Sequence, residues 1–141
     1  MTSVQNITLV ELDFFDNQGP LLGQIVDSTV YGDQLQFYRN VLTDGFVVTS
    51  SHVIMNQLEL TENSVSSLLQ LSDCTFVMNG TYAAHNDQGT DGGVYRLMNS
   101  RGSLSHGWLT SNYADRGTIY SNTGEIYMSH YEVRTTLNDL S

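Results

Sequence analysis

Lysine is missing from the sequence, and proline, cysteine and tryptophan occur once each. Its only basic side chains besides histidine are Arg39, Arg96, Arg101, Arg116 and Arg134, scattered singly against 15 acidic residues. A phosphate backbone is held by clustered Lys and Arg that neutralise it, so no nucleic-acid partner is expected, and the net charge of −10 serves solubility. A single cysteine cannot form an internal disulfide. Cys74 sits in the apolar run CTFVM, where a buried, inert thiol is the expected role. The N-terminal stretch MTSVQNITLVELDFF has no basic leader and carries Glu11 and Asp13 inside its apolar part. That argues against a signal peptide or a spanning helix, and implies a cytoplasmic protein with no membrane contact.

Catalytic signatures are equally sparse. His52, His85, His106 and His130 show no ligand spacing, so no metal site is expected. GSLSHG has Ser103 where a nucleophile elbow needs glycine, and GTDGG lacks the spacing and the helix of a phosphate loop. No cofactor motif remains. Asp73, Glu125 and Glu132 are carboxylates that the sequence does not pair, and solvated strand-face charge is their default role.

What is present is β punctuation. NQGP, TDG, TENS, NG, NDQGTDGG, SRG and NTG recur at short intervals, separated by runs rich in Val, Ile, Thr, Tyr and Phe. No window carries a helical stripe, although short helical turns are expected around residues 18 to 24 and at the C terminus. Asn79-Gly80 reads as a tight hairpin turn and Asp44-Gly45 as a similar join. Ser50 and Ser51 are candidates for a bend in the long run FVVTSSHVIMNQLEL. These features predict an all-β chain of one domain, residues 1–141: a single antiparallel up-and-down β-barrel of about eight strands with a central ligand cavity. A two-sheet sandwich is the alternative.

Alternation assigns the even positions of three runs to the interior: Phe46 to Leu58, Cys74 to Ala84, and Leu104 to Trp108. The last run, GTIYSNTGEIYMSHYEV, is mixed on both faces. The interior set combines apolar walls with isolated polar heads, which suggests a small-molecule pocket.

A run through TDG to VVTSSHVIM, the hairpin-like TFVMNGTYAAH, GSLSHGW, and a TG turn before the last strand follow one another between residues 35 and 133. In this order they resemble the small bacterial β-barrels of allene-oxide-cyclase-like fold, especially the spirotetronate cyclases. The resemblance implies a cofactor-independent cyclase that closes a linear polyketide or tetronate-type intermediate by intramolecular [4+2] cycloaddition. Its chemistry would be conformational, folding a polyene until diene and alkene stack. Tyr82 and His130 would be catalytic hydrogen-bond donors to the substrate carbonyl. Phe46, His52, Ile54, Phe76, His106, Trp108, Ile126 and Met128 would bind a small hydrophobic polyene substrate. The family pattern is departed from at Met128, where an aromatic is expected, and near Leu58, where a polar aromatic is expected.

Two rival functions are open. A non-catalytic, lipocalin-like carrier would use the same cavity. A structural or assembly protein, such as a virion component, would have a filled interior and extensive self-association, against the homodimer through a strand edge that is otherwise the most expected. The segment HNDQGTDGG, residues 85 to 93, is a lid candidate.

Overall fold

The computed structural model describes residues 5–88, 93–114 and 118–134, with the side chains of Gln88 and Ala114 excepted. Its strands are β1 (Gln5–Phe15), β2 (Gln18–Val26), β3 (Ser28–Tyr38), β4 (Val41–Thr49), β5 (His52–Thr61) and β6 (Leu69–Ser72). Then come β7 (Thr75–Ala84), β8 (Asp87–Gln88), β9 (Tyr95–Thr110), β10 (Tyr113–Ala114) and β11 (Ile119–Arg134). Every strand pairing among the described residues is parallel. The chain winds as a β-solenoid of about five turns. No described residue is helical, and the stretch expected to hold helical turns after Asn17 is strand β2. The C-terminal helical turn and positions 89 to 92 of the lid candidate lie outside the described residues.

The antiparallel barrel is therefore corrected to a parallel coil. A barrel of hairpins pairs each strand with the next in sequence. Here β1 pairs with β3, β3 with β5, β5 with β7 and β7 with β9, while β2, β4, β6 and β9 stack as a second face. β11 lies along β9 on both faces. The supposed hairpin at Asn79-Gly80 bends one strand, β7, with Gly80 at φ 78, and the chain does not reverse. Asp44-Gly45 lies inside β4, where the Gly45 amide donates to the Ser67 carbonyl one coil on, at 2.9 Å.

Corners set the cross-section. Three columns of residues take left-handed φ: Glu11, Gln34, Gln57, His106 and His130; Asp16, Arg39, Glu62, His85 and Ser111; Asp27, Ser50, Asp73, Asn99 and Thr123. A non-glycine residue there costs roughly 1–2 kcal/mol, so the column positions must be held by what stacks around them. Each corner also switches which parity faces inward. Val53 and Met55 are buried before Gln57, and Leu58 and Leu60 after it. Even-position burial therefore holds for Val48, Phe76, Met78 and Leu104 but inverts past Ser50, Gly80 and His106.

Polar ladders hold the corners. Asn17, Asn40, Asn63, Asn86 and Asn112 stand in one column. The backbone N–H and the Nδ2 of Asn40 both donate to Asn63 Oδ1, at 3.0 and 2.8 Å. Asn63 repeats this with Asn86 Oδ1 and gives its second amide hydrogen to the Phe37 carbonyl at 2.9 Å. Buried amides are thus satisfied coil after coil, as burial demands. A second column runs Ser28, Ser51, Cys74, Ser100: the Ser28 amide donates to Ser51 Oγ at 3.0 Å and the Cys74 amide to Ser100 Oγ at 3.1 Å. Cys74 fills a serine position, its thiol donating to the Ser72 carbonyl at 3.2 Å, and burial pushes its pKa up.

Apolar columns fill the interior. Val30, Val53 and Phe76 stack in one, and Leu35 and Leu58 in another. Phe14 stacks on Phe37 at 4.8 Å between centroids, and Phe46 meets both rings edge-on at 5.5 and 5.7 Å. The void lined by Phe37, Phe46, Met55, Leu58, Leu60, Leu68 and Leu69 is about 10 Å³, at the lower limit of the space one water needs. The expected central ligand cavity is absent from the described interior.

Candidate functional site

The ten residues assigned to a cavity do not converge. Phe76 is buried and Phe46 half-buried, both as packing within the core. Ile54 is half-buried on the outer side of β5. His52 is exposed, its Nδ1 at 2.7 Å from Thr75 Oγ1 one coil on. His106 and His130 occupy one corner column, with rings stacked at 4.9 Å, and His106 Nδ1 lies 3.0 Å from Asn79 Oδ1. Ile126 and Met128 belong to the last described coil. Tyr82 and Trp108 are register partners on the outside of the coil, 43% and 48% exposed. The corners at Gly80 and His106 turn both rings outward, because each lies on the far side of a parity switch.

Two pairings therefore survive as neighbours, His106 with His130 and Tyr82 with Trp108, both on the surface. Among the described residues no three His, Cys, Asp or Glu side chains converge as a metal site would need.

The outer flank between the corner columns of Gln57 and Glu62 carries a register-aligned column of polar and aromatic side chains. One outward position per coil runs Asp13, Gln36, Glu59, Tyr82, Trp108, Glu132, each in register with the next. A neighbouring outward column begins Phe15, Tyr38, Thr61. Two shallow grooves lie along this flank, of about 490 Å³ and 300 Å³, both lined by Gln36 and Glu59. Arginines brace the aromatic rings: the Arg39 guanidinium lies 4.6 Å from the Tyr38 ring centroid and that of Arg134 5.8 Å from Trp108. Arg39 also pairs with Asp16 at 2.9 Å. Sequence reasoning missed Gln34, Gln36, Gln57 and Glu59. Their alignment is visible only once the chain is folded in coils of 23 residues, the separation of Asn17 and Asn40.

The ends of the coil form a second surface. β1 pairs only with β3 and β11 only with β9, so one edge of each end strand is unpaired among the described residues. The core columns run out to these edges without changing character. Ile7, Leu9, Leu12 and Phe14 face the interior line on the first coil, and Ile126, Met128, Tyr131 and Val133 on the last. Tyr131 folds back against Gly107, its hydroxyl buried.

No helix among the described residues is long and apolar enough to cross a membrane. Compared with known protein families, curated proteins and solved structures, the chain has no significant match.

Proposed function

We propose that the chain is a structural assembly module, a filled β-solenoid that builds a longer rod by stacking its end coil on that of another copy. The observation that carries this reading is that, among the described residues, the apolar core is left open at both end coils beside unpaired strand edges. Repeat coils are held mainly by their neighbours, and a stable solitary solenoid covers its ends with polar caps. Unpaired edges template further pairing. A first coil and a last coil are unlike surfaces, so their contact is head-to-tail and extends without closing, where a two-fold dimer would close. Cyclisation and carrier readings both draw on a chamber, and the packed interior supplies none to support them. A cytoplasmic place of assembly belongs to the same proposal, supported by Cys74 being the sole, buried thiol.

Sedimentation velocity across a concentration series, with electron microscopy of the same samples, tests it. The wild-type chain is expected to form rods whose length grows with concentration. The double variant Leu9→Lys, Met128→Lys, which places charge in the end columns, is expected to stay folded and monomeric. A wild-type chain that remains monomeric at the highest concentration contradicts the proposal.

A further inference from the structure

The flank of the coil repeats, and a repeating surface suits a repeating ligand. The column from Asp13 to Glu132 sets one outward side chain per coil, at a spacing of about 4.8 Å, close to the length of one pyranose unit. Its middle is aromatic, Tyr82 against Trp108, and both sides of this pair are polar: Gln36 and Glu59 towards the first coil, Glu132 towards the last. The groove that reaches Tyr82 is lined by Gln34, Gln36, Gln57 and Glu59, with Gly80 leaving the wall low beside the ring. From these features we infer that the flank binds a linear, uncharged glycan laid along the coil axis.

The chemistry selects that ligand class. A sugar ring has an apolar C–H face and a rim of hydroxyls. The C–H face packs on an exposed Tyr or Trp ring through many small dispersion contacts. The hydroxyls both donate and accept, and match carboxamides and carboxylates, which together supply both roles. Charge narrows the class further. Asp13 and Glu59 lie on the column itself, Glu132 there is paired with Arg134, and the whole chain carries −10, so sulfated or uronate polymers are disfavoured, as is nucleic acid. An extended peptide would gain its backbone hydrogen bonds at an unpaired strand edge, which the flank does not offer. The coil register fixes the two rings on adjacent coils, and Arg134 lies beside Trp108, which reduces the ordering cost of binding.

Isothermal titration with cellohexaose and chitohexaose tests this, with an α-1,4-linked hexagalacturonate as the anionic probe. Trp108, the only tryptophan, gives an independent fluorescence readout. Each titration is run on the wild-type chain and on the Leu9→Lys, Met128→Lys chain, so that sugar binding and rod formation are read separately. At least one neutral hexasaccharide is expected to bind saturably to both chains and to shift the Trp108 emission. Tyr82→Ala and Trp108→Ala are each expected to weaken it by roughly tenfold, at the low end of what removing one base-stacking aromatic costs in nucleic-acid grooves. Tyr31→Ala, an exposed tyrosine across the Gln34 corner, is expected to leave affinity unchanged. The inference is overturned by absence of saturable binding to both neutral sugars, by equal binding of the hexagalacturonate, or by affinities unmoved in both flank variants. Capture of a protein through Tyr82 and Trp108 without sugar binding also overturns it.

Discussion

The central and end coils are built from the same columns and differ in what lies above and below them. Met55, in the middle, is 4% exposed, and Met128, three coils further along the same column, is 54% exposed. Leu58 is 4% exposed and Leu12, two coils earlier in its column, 37%. The difference teaches where stability resides. Neither β1 nor β11 has an oily side covered by its own coil. Burial comes from a neighbour on each side, as nearest-neighbour repeat energetics require.

Substitutions at matched positions sharpen that contrast. Met55→Lys buries a charge without a partner and is expected to abolish folding, seen as loss of the β circular-dichroism signal. Met128→Lys in the same column is expected to keep the fold and lose only rod formation. Equal damage from both would break the comparison. Next comes the asparagine column. Asn63→Ala leaves two donors of Asn40 without their acceptor and is expected to cost about 3 kcal/mol in urea unfolding. Asn17→Ala removes no acceptor from an earlier described coil, and its loss is expected to be under half as large.

Alkaline pH supplies a smaller test. Tyr95 is buried, its hydroxyl 2.6 Å from Thr81 Oγ1, and desolvation holds its phenol pKa well above the usual value. Below an ordinary phenol pKa of about 10, folded and unfolded chains are both protonated and this group adds no pH dependence. Above it the unfolded chain releases the proton first, so stability falls as pH rises towards the folded value. Tyr131, also raised by burial, acts in the same direction. Tyr95→Phe is expected to flatten the decline seen by thermal melting above that pH, and an unchanged slope would remove Tyr95 as its source. The smallest effect is expected at a corner. Gln57→Gly adopts the residue that Gly80 already supplies one coil on and is expected to stabilise by up to about 1 kcal/mol, because left-handed φ no longer strains a side chain.

The sequence made the β content legible, because Val, Ile, Thr, Tyr and Phe runs between Gly and Asn clusters admit little else. It also pointed to a bend at Ser50, which is a corner. Pairing direction was not legible from local signals, since Asn79-Gly80 has the composition of a hairpin turn and acts as a bend within β7. The informative signal was long-range: asparagine at 17, 40, 63, 86 and 112. The separation is 23 residues until it widens to 26 across the segment holding GTDGG, and that insertion blurs the period. The mixed faces of GTIYSNTGEIYMSHYEV follow from His130, a corner that sends Met128 and Tyr131 to the same side although they are an odd number apart. Counting every second residue across such corners placed Trp108 and Tyr82 inside, and so produced a chamber where the chain has a flank.

Coil-on-coil register at 23 residues underlies both proposals, and crosslinking measures it directly. In a Cys74→Ser background, cysteines replacing His52 and Thr75, which face each other on adjacent coils, are expected to form an intramolecular disulfide on mild oxidation, found by mass spectrometry of the peptides. A pair replacing His52 and Asn79, which are not in register, is expected to stay reduced. Failure of the first pair to close in folded protein, or closure of both at similar rates, would contradict the solenoid register.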